Sequence, residues 1–269
     1  MKRLAPWLIG LFALALRLWG INWGLPNADH LYSYHTDETM VLSGSLNCHP
    51  LLFLLDPKFY PYGCLVPNIN GFFLDLGSWT GLVKSATDPS ALLTCRLVTV
   101  LFGALTCPVL FFAGRRFFSE NAGYVAAALY AIAPLAVQHA HFATVDVHAT
   151  FWVALCLLAT AAPMHANTDG KRRFRPDGLF WAGVFAGLAA AAKYNIGIVI
   201  LASLVAAFLP TLPDSTPNSS KLKPLALVIG GALMGFLFGS PALFTNPGEM
   251  VKGLLDEIAK SRTDHGGVF

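Results

Sequence analysis

Two adjacent carboxylates, Asp37 and Glu38, sit in the stretch Tyr34-His35-Thr36-Asp37-Glu38, just beyond the first apolar segment. A carboxylate within hydrogen-bond reach of a hydroxyl can take its proton as that hydroxyl attacks. The same pair could be solvated loop acids, or could cap a helix that begins near Thr36. A third acid, Asp146, lies in Gln138-His139-Ala140-His141-Phe142-Ala143-Thr144-Val145-Asp146-Val147-His148, immediately before an apolar run. A carboxylate in a membrane helix costs about 2.5–3.5 kcal/mol on insertion scales, so an ionisable residue there marks a functional site unless it caps the helix. His139, His141 and His148 lie close by in the chain, and His with Asp suits a metal ion. At an interface, the same histidines can simply hydrogen-bond water. Lys193 interrupts the small-residue run Gly187 to Ala192. Its ammonium either snorkels to the interface or meets a phosphate. Arg96, early in its apolar segment, is a second phosphate candidate, and His265 in Asp264-His265-Gly266-Gly267 is a further polar element.

Composition says what must hold these groups. Of 269 residues, 55% are hydrophobic and 12% charged, against roughly a quarter charged in soluble domains. The chain therefore reads as an integral membrane protein of the all-α class. Its net charge is only +3. The basic residues cluster in short loops, which fits membrane topology and not a nucleic-acid surface. Five cysteines follow no metal-binding spacing. Cys95, Cys107 and Cys156 lie in apolar segments as small buried residues. Cys48 and Cys64 share the first large loop and could form a disulfide in an oxidising compartment.

In chain order, Met1-Lys2-Arg3 and an apolar run to Trp23 imitate a signal peptide, but no small-x-small cleavage site follows. This is expected to be an uncleaved spanning helix. A polar, aromatic loop covers residues 24–90. Within it, Leu65 to Val83 is moderately apolar but carries Pro67, Asn68, Asn70 and Asp75, which predicts an interfacial or re-entrant helix. Further spans are predicted at Ala91 to Ala113, Gly123 to Val137, Val147 to Ala162, Leu179 to Ala192, Ile196 to Leu209 and Leu225 to Leu243. Together they make a bundle of about seven transmembrane helices. Gly248 to Lys260 reads as an amphipathic helix. With the N-terminus cytoplasmic and Leu65 to Val83 not counted as a span, Arg115/Arg116, the Lys171 to Arg175 run and Lys221/Lys223 all fall inside, as the positive-inside rule prefers. Asp37/Glu38, Asp146, Lys193 and the C-terminal tail then share the opposite face.

Arg17-Leu18-x-Gly20 followed by Tyr34-His35-Thr36-Asp37-Glu38 resembles the first helix and first loop of the GT-C membrane glycosyltransferases. The nearest branch is the group of protein O-mannosyltransferases and lipid A aminoarabinose transferases. His141-Phe142-Ala143-Thr144-Val145-Asp146 is similar to that group's second acidic motif, Ala192-Lys193-Tyr194 to its later Lys-aromatic motif, and Pro61-Tyr62-Gly63 to the loop between the acids. His148 stands where the group has an apolar residue or proline. The resemblance implies a polyprenyl-phosphate sugar donor, a protein or glycolipid acceptor bound from the extracytoplasmic side, and an inverting transfer with Asp37 as general base. Glu38 and Asp146 would complete the acidic centre. His35, His141, Lys193, Arg96, Tyr62 and His265 are expected to contact substrate. A divalent cation such as Mg or Mn is a possible cofactor, with Asp37, Asp146 and His148 as candidate ligands. Relatives of this kind continue with more spans, so residues 1–269 are expected to be the N-terminal part of a longer bacterial plasma-membrane protein. A transporter for a lipid-linked molecule would instead spread polar residues along a path through the bilayer. A non-catalytic assembly subunit is the other alternative.

Overall fold

The computed structural model describes residues 4–161, 176–208 and 222–263. His265, the basic run Lys171 to Arg175, and Lys221 lie outside them. Within the described residues the chain is helical, with turns and one isolated bridge between His49 and Leu54. The elements are α1 (Ala5–Leu18), α2 (Thr36–Leu46), α3 (Leu65–Trp79), α4 (Pro89–Phe117), α5 (Glu120–Ile132) and α6 (Pro134–Ala140). They continue with α7 (Val145–Thr160), α8 (Pro176–Ala192), α9 (Ile200–Phe208), α10 (Leu222–Gly239), α11 (Ala242–Thr245) and α12 (Pro247–Thr263).

Among the described residues, α4 and α10 are each long and apolar enough to cross a membrane, and α5 with α6 makes a third if the bent pair is one span. The apolar helices α1, α7, α8 and α9 are shorter. Each of them falls short of the roughly 20 residues of an upright crossing. The predicted span from Gly123 to Val137 is broken: α5 and α6 meet at 56°. Pro134 causes the break. It has no N–H, so the carbonyl of Tyr130 loses its helical donor. Arg17, fully buried on α1, replaces that donor. Its guanidinium donates to Tyr130 O at 3.1 Å, to Ala131 O at 3.0 Å and to Ala13 O at 3.2 Å. The bend is thereby satisfied internally, as hydrocarbon surroundings require.

Helices α8 and α10 pack backbone to backbone. A Cβ on Gly183 or Gly187 would meet the carbonyl of Val228 at 2.2 Å or of Ala232 at 2.1 Å. Gly231 and Gly235 are equally tight against Phe180 O and Val184 O. Both helices thus carry glycines at i and i+4, the spacing that lets apolar helices touch closely without a hydrophobic driving force. The first loop folds over the end of this pair. Gly63 approaches so closely that a Cβ there would overlap Ala191 O at 1.8 Å. Leu65 and Val66 join Val41, Val145, Ala191 and Ala192 in the main buried cluster. That cluster gathers α2, α3, α7 and α8 around one point. Cys48 and Cys64, the pair that could have formed a disulfide, are buried free thiols.

Candidate functional site

Helix α2 starts at the acidic pair. His35 is its N-cap and accepts from the Asp37 N–H through Nδ1 at 3.3 Å. Asp37 and Glu38 occupy the first turn, where negative charge complements the helix dipole. Their side chains then part. Glu38 is fully buried, while Asp37 faces Tyr62, whose hydroxyl donates to Asp37 Oδ2 at 3.1 Å.

Glu38 meets Arg96 from α4. Arg96 Nε and Nη2 donate to the two Glu38 oxygens at 2.8 and 2.7 Å, and neither side chain is exposed. Arg96 Nη1 also donates to Ile21 O at 2.9 Å and Trp23 O at 2.7 Å. Glu38 accepts further from the Ala143 N–H at 2.6 Å and from the Ser33 hydroxyl. The turn after α1, the start of α2, the first third of α4 and the turn before α7 are therefore tied to one buried pair. Arg96 was expected at a phosphate and Glu38 at the reacting centre. Both are instead enclosed and satisfied by each other and the backbone, because a buried charge persists only when paired and hydrogen-bonded.

The turn held by Ala143 leads directly into α7. Thr144 is the N-cap of α7, so Asp146 is the second residue of the helix, within its first turn, and does not cap. Asp146 accepts from Lys193 Nζ through Oδ1 at 2.7 Å, with the two side chains 37% and 27% exposed. Lys193 follows the last residue of α8 in extended conformation, ahead of the 3-10 turn Tyr194–Val199. It does not snorkel along a helix. Its ammonium also lies 5.8 Å from the centre of the Tyr62 ring. Tyr62 thus links the two halves, with its hydroxyl on Asp37 and its ring against the Lys193–Asp146 pair. Burial first, and then the charge and hydrogen bond of Asp37, push the Tyr62 hydroxyl well above the usual phenol range. It stays a proton donor at neutral pH.

The remaining predicted residues fall elsewhere. His35 caps α2 and its ring packs 4.9 Å from Phe142. His141, expected at substrate, has both ring nitrogens against backbone carbonyls, Val137 O at 2.8 Å and Trp19 O at 2.7 Å. His148, expected as a metal ligand, is fully buried inside α7. It faces Thr99 Oγ1 at 3.3 Å, and its ring lies 4.3 Å from that of Phe102, tilted by 36°. It cannot join Asp37 and Asp146 at an open face. Among the described residues no three His, Cys, Asp or Glu side chains come together as a metal group. The two half-buried carboxylates, Asp37 and Asp146, are still oxygen donors of the kind Mg or Mn accepts alongside substrate phosphate and water.

One network was not anticipated. Asp56 accepts from Tyr60 Oη at 2.5 Å, from the Lys58 N–H at 3.0 Å and from Asn246 Nδ2 at 3.3 Å. Burial opposes the charged form, but these donors, Tyr60 foremost, hold Asp56 below the usual carboxylate range. The network fastens the first loop to the start of α12.

An apolar helical bundle with acids and a lysine gathered at its loop face is the layout of a membrane-integral glycosyltransferase of the GT-C type. Residues 90–243 match the family model described as dolichyl-phosphate-mannose-protein mannosyltransferase, and the chain belongs to that family. The matched region contains Arg96, His141, Asp146 and Lys193, whereas Asp37 and Tyr62 precede it. No curated protein and no solved structure matches the chain.

Proposed function

We propose that the chain moves a sugar from a polyprenyl-phosphate donor to a hydroxyl of a protein or glycolipid on the extracytoplasmic side, with inversion at the anomeric carbon. The observation that carries this reading is the convergence of Asp37, Tyr62, Lys193 and Asp146 from three separated parts of the chain. Asp37 takes the proton of the acceptor hydroxyl as its oxygen bonds to the anomeric carbon. The bond from that carbon to the phosphate oxygen breaks, and polyprenyl phosphate leaves. Lys193 faces the charge that develops on the departing phosphate. Asp146 orients Lys193, and Tyr62 orients Asp37. The family's description names a dolichyl-phosphate-mannose donor and a protein acceptor, which fits this scheme. When bound, Mg or Mn would add phosphate neutralisation, held by Asp37 and Asp146; every step above is carried by the chain's own residues.

The same reading takes residues 1–269 as one membrane unit with about seven spans. The N-terminus is cytoplasmic, and residues 24–90 cover the site on the outer face of a bacterial plasma membrane. Membranes holding the chain, given a labelled polyprenyl-phosphate sugar, should transfer label to an acceptor, and the Asp37→Asn variant should not. Full transfer by Asp37→Asn would overturn the assignment of the base.

A further inference from the structure

Helix α12 lies against the loop that carries Tyr62. Just ahead of the helix, Asn246 Nδ2 donates to Asp56 Oδ2 at 3.3 Å. Met250 is buried and packs with Tyr60, Cys64 and Ala242. Gly253 comes closer still, since a Cβ there would meet the Tyr60 Cβ at 2.6 Å. Tyr194, the residue after Lys193, donates through its hydroxyl to Tyr60 O at 3.3 Å. The same stretch of loop therefore joins α12 to the end of α8.

Met250, Gly253 and Glu257 stand at i, i+3 and i+7, so Glu257 continues this inner face of α12. It is half-buried, and among the described residues no cation pairs with it. Burial first, and then neighbouring charges that include Glu257 in both cases, raise the Tyr62 and Tyr194 hydroxyls above the usual phenol range. Asp37 and Asp146 act on the Tyr62 hydroxyl as well. Three carboxylates, from α2, α7 and α12, thus converge on one phenol. Two of them have work in the scheme above: Asp37 faces the acceptor and Asp146 holds Lys193. Glu257 has none. It lies well past the first turn of α12, where the helix dipole no longer favours an acid. A half-buried carboxylate without a partner costs free energy, which hydrogen-bond donors from a ligand would offset.

The chemistry of the site narrows that ligand. In the transfer scheme the acceptor oxygen lies at Asp37 and the departing phosphate at Lys193. A carboxylate repels phosphate, and the acceptor hydroxyl already has its base. The sugar must span the distance between them, and Tyr62 touches both ends, with its hydroxyl on Asp37 and its ring near Lys193. Sugar hydroxyls are donors, and two adjacent ones match the two oxygens of a carboxylate.

We propose that Glu257 binds the transferred sugar by accepting hydrogen bonds from its ring hydroxyls, which makes α12 the element that selects the sugar. The proposal rests on the transferase reading above.

Two measurements test it separately. The first needs no turnover. The purified chain in nanodiscs, without acceptor, binds polyprenyl-phosphate mannose and analogues that each lack one ring hydroxyl. At least one analogue should bind the parent chain about tenfold more weakly, and Glu257→Ala should bring that ratio close to one without lowering the melting temperature. Asp256→Asn, on the exposed side of α12, should keep the ratio. Equal binding of all analogues by the parent chain, or a ratio that survives in Glu257→Ala, would overturn the proposal. The second measurement is turnover. Glu257→Ala should raise the donor KM about tenfold and leave the acceptor KM unchanged. A rise in the acceptor KM alone would place Glu257 at the acceptor and overturn the proposal. Absence of transfer by the parent chain, with the binding ratio still lost in Glu257→Ala, would overturn the transferase reading alone.

Discussion

Replacing Arg96 by methionine should unfold the centre of this protein more effectively than any change at Asp37. Methionine keeps much of the side-chain volume but removes every donor. The Glu38 carboxylate, fully buried, then retains only the Ala143 N–H and the Ser33 hydroxyl. The carbonyls of Ile21 and Trp23 lose their shared donor as well. Breaking one side of a buried ion pair costs about 3–5 kcal/mol, most of it the penalty of the stranded charge. Neutralising that charge should recover much of the loss, so Glu38→Leu/Arg96→Met should be markedly more stable than Arg96→Met alone. Arg96→Lys should fail to rescue, because one ammonium cannot bind both carboxylate oxygens and two carbonyls in a fixed fork. The assay is thermal unfolding of the purified chain in detergent, followed as a double-mutant cycle. A loss in Arg96→Met below about 0.5 kcal/mol, the range of ordinary surface changes, would refute the reasoning. So would a double variant that simply sums the two singles.

Three further outcomes follow from the geometry. Tyr62→Phe removes the donor to Asp37; a hydrogen bond to a charged group is worth about 1.5–3 kcal/mol, discounted here for partial exposure, so sugar transfer should fall about tenfold with thermal stability little changed. Arg17→Leu should destabilise the chain by about 1–3 kcal/mol for the stranded carbonyls, measured as the detergent melting temperature, and Pro134→Ala in that background should restore stability by returning an N–H to Tyr130. Asp56 has its folded pKa depressed, so its contribution is present above the ordinary carboxylate value of about 3.9 and is lost as pH falls through the lower folded value. Limited proteolysis within α12 should therefore rise only in acid for the parent chain, and already at neutral pH for Asp56→Asn.

Much of this was readable before any coordinates. Hydropathy located most of the helices, and the structure brings Asp37, Asp146 and Lys193, each singled out in the sequence, together around Tyr62. Sequence could not show the partition of the neighbours Asp37 and Glu38, because nothing in the pair itself indicates which one meets Arg96, 58 residues later. Arg96 and Lys193 look alike as lone cations in apolar runs, and only packing separates the enclosed one from the open one. Tyr62 entered through a short resemblance and not through its own chemistry. Other signals were present but needed more weight. Pro134 sits inside the predicted span from Gly123 to Val137 and breaks it, and the glycine pairs at 183/187 and 231/235 announce the α8–α10 contact.

The partition at residues 37 and 38 also explains how a membrane protein can hold an open carboxylate in place. Successive residues on a helix point about 100° apart. When Glu38 turns inward to Arg96, Asp37 must turn outward, toward Tyr62. The energy that fixes Asp37 is therefore spent where no substrate reaches, in a pair that also grips the turn leading to Asp146. An acid anchored through its own contacts would be fully bonded and poor at accepting a proton. An acid anchored through its neighbour keeps Oδ1 open and has a single side-chain donor on Oδ2. On this argument Glu38 is a positioning residue. Glu38→Gln, which keeps the shape but weakens the grip, should lower kcat for sugar transfer more than it raises the donor KM. The opposite pattern would return Glu38 to the substrate.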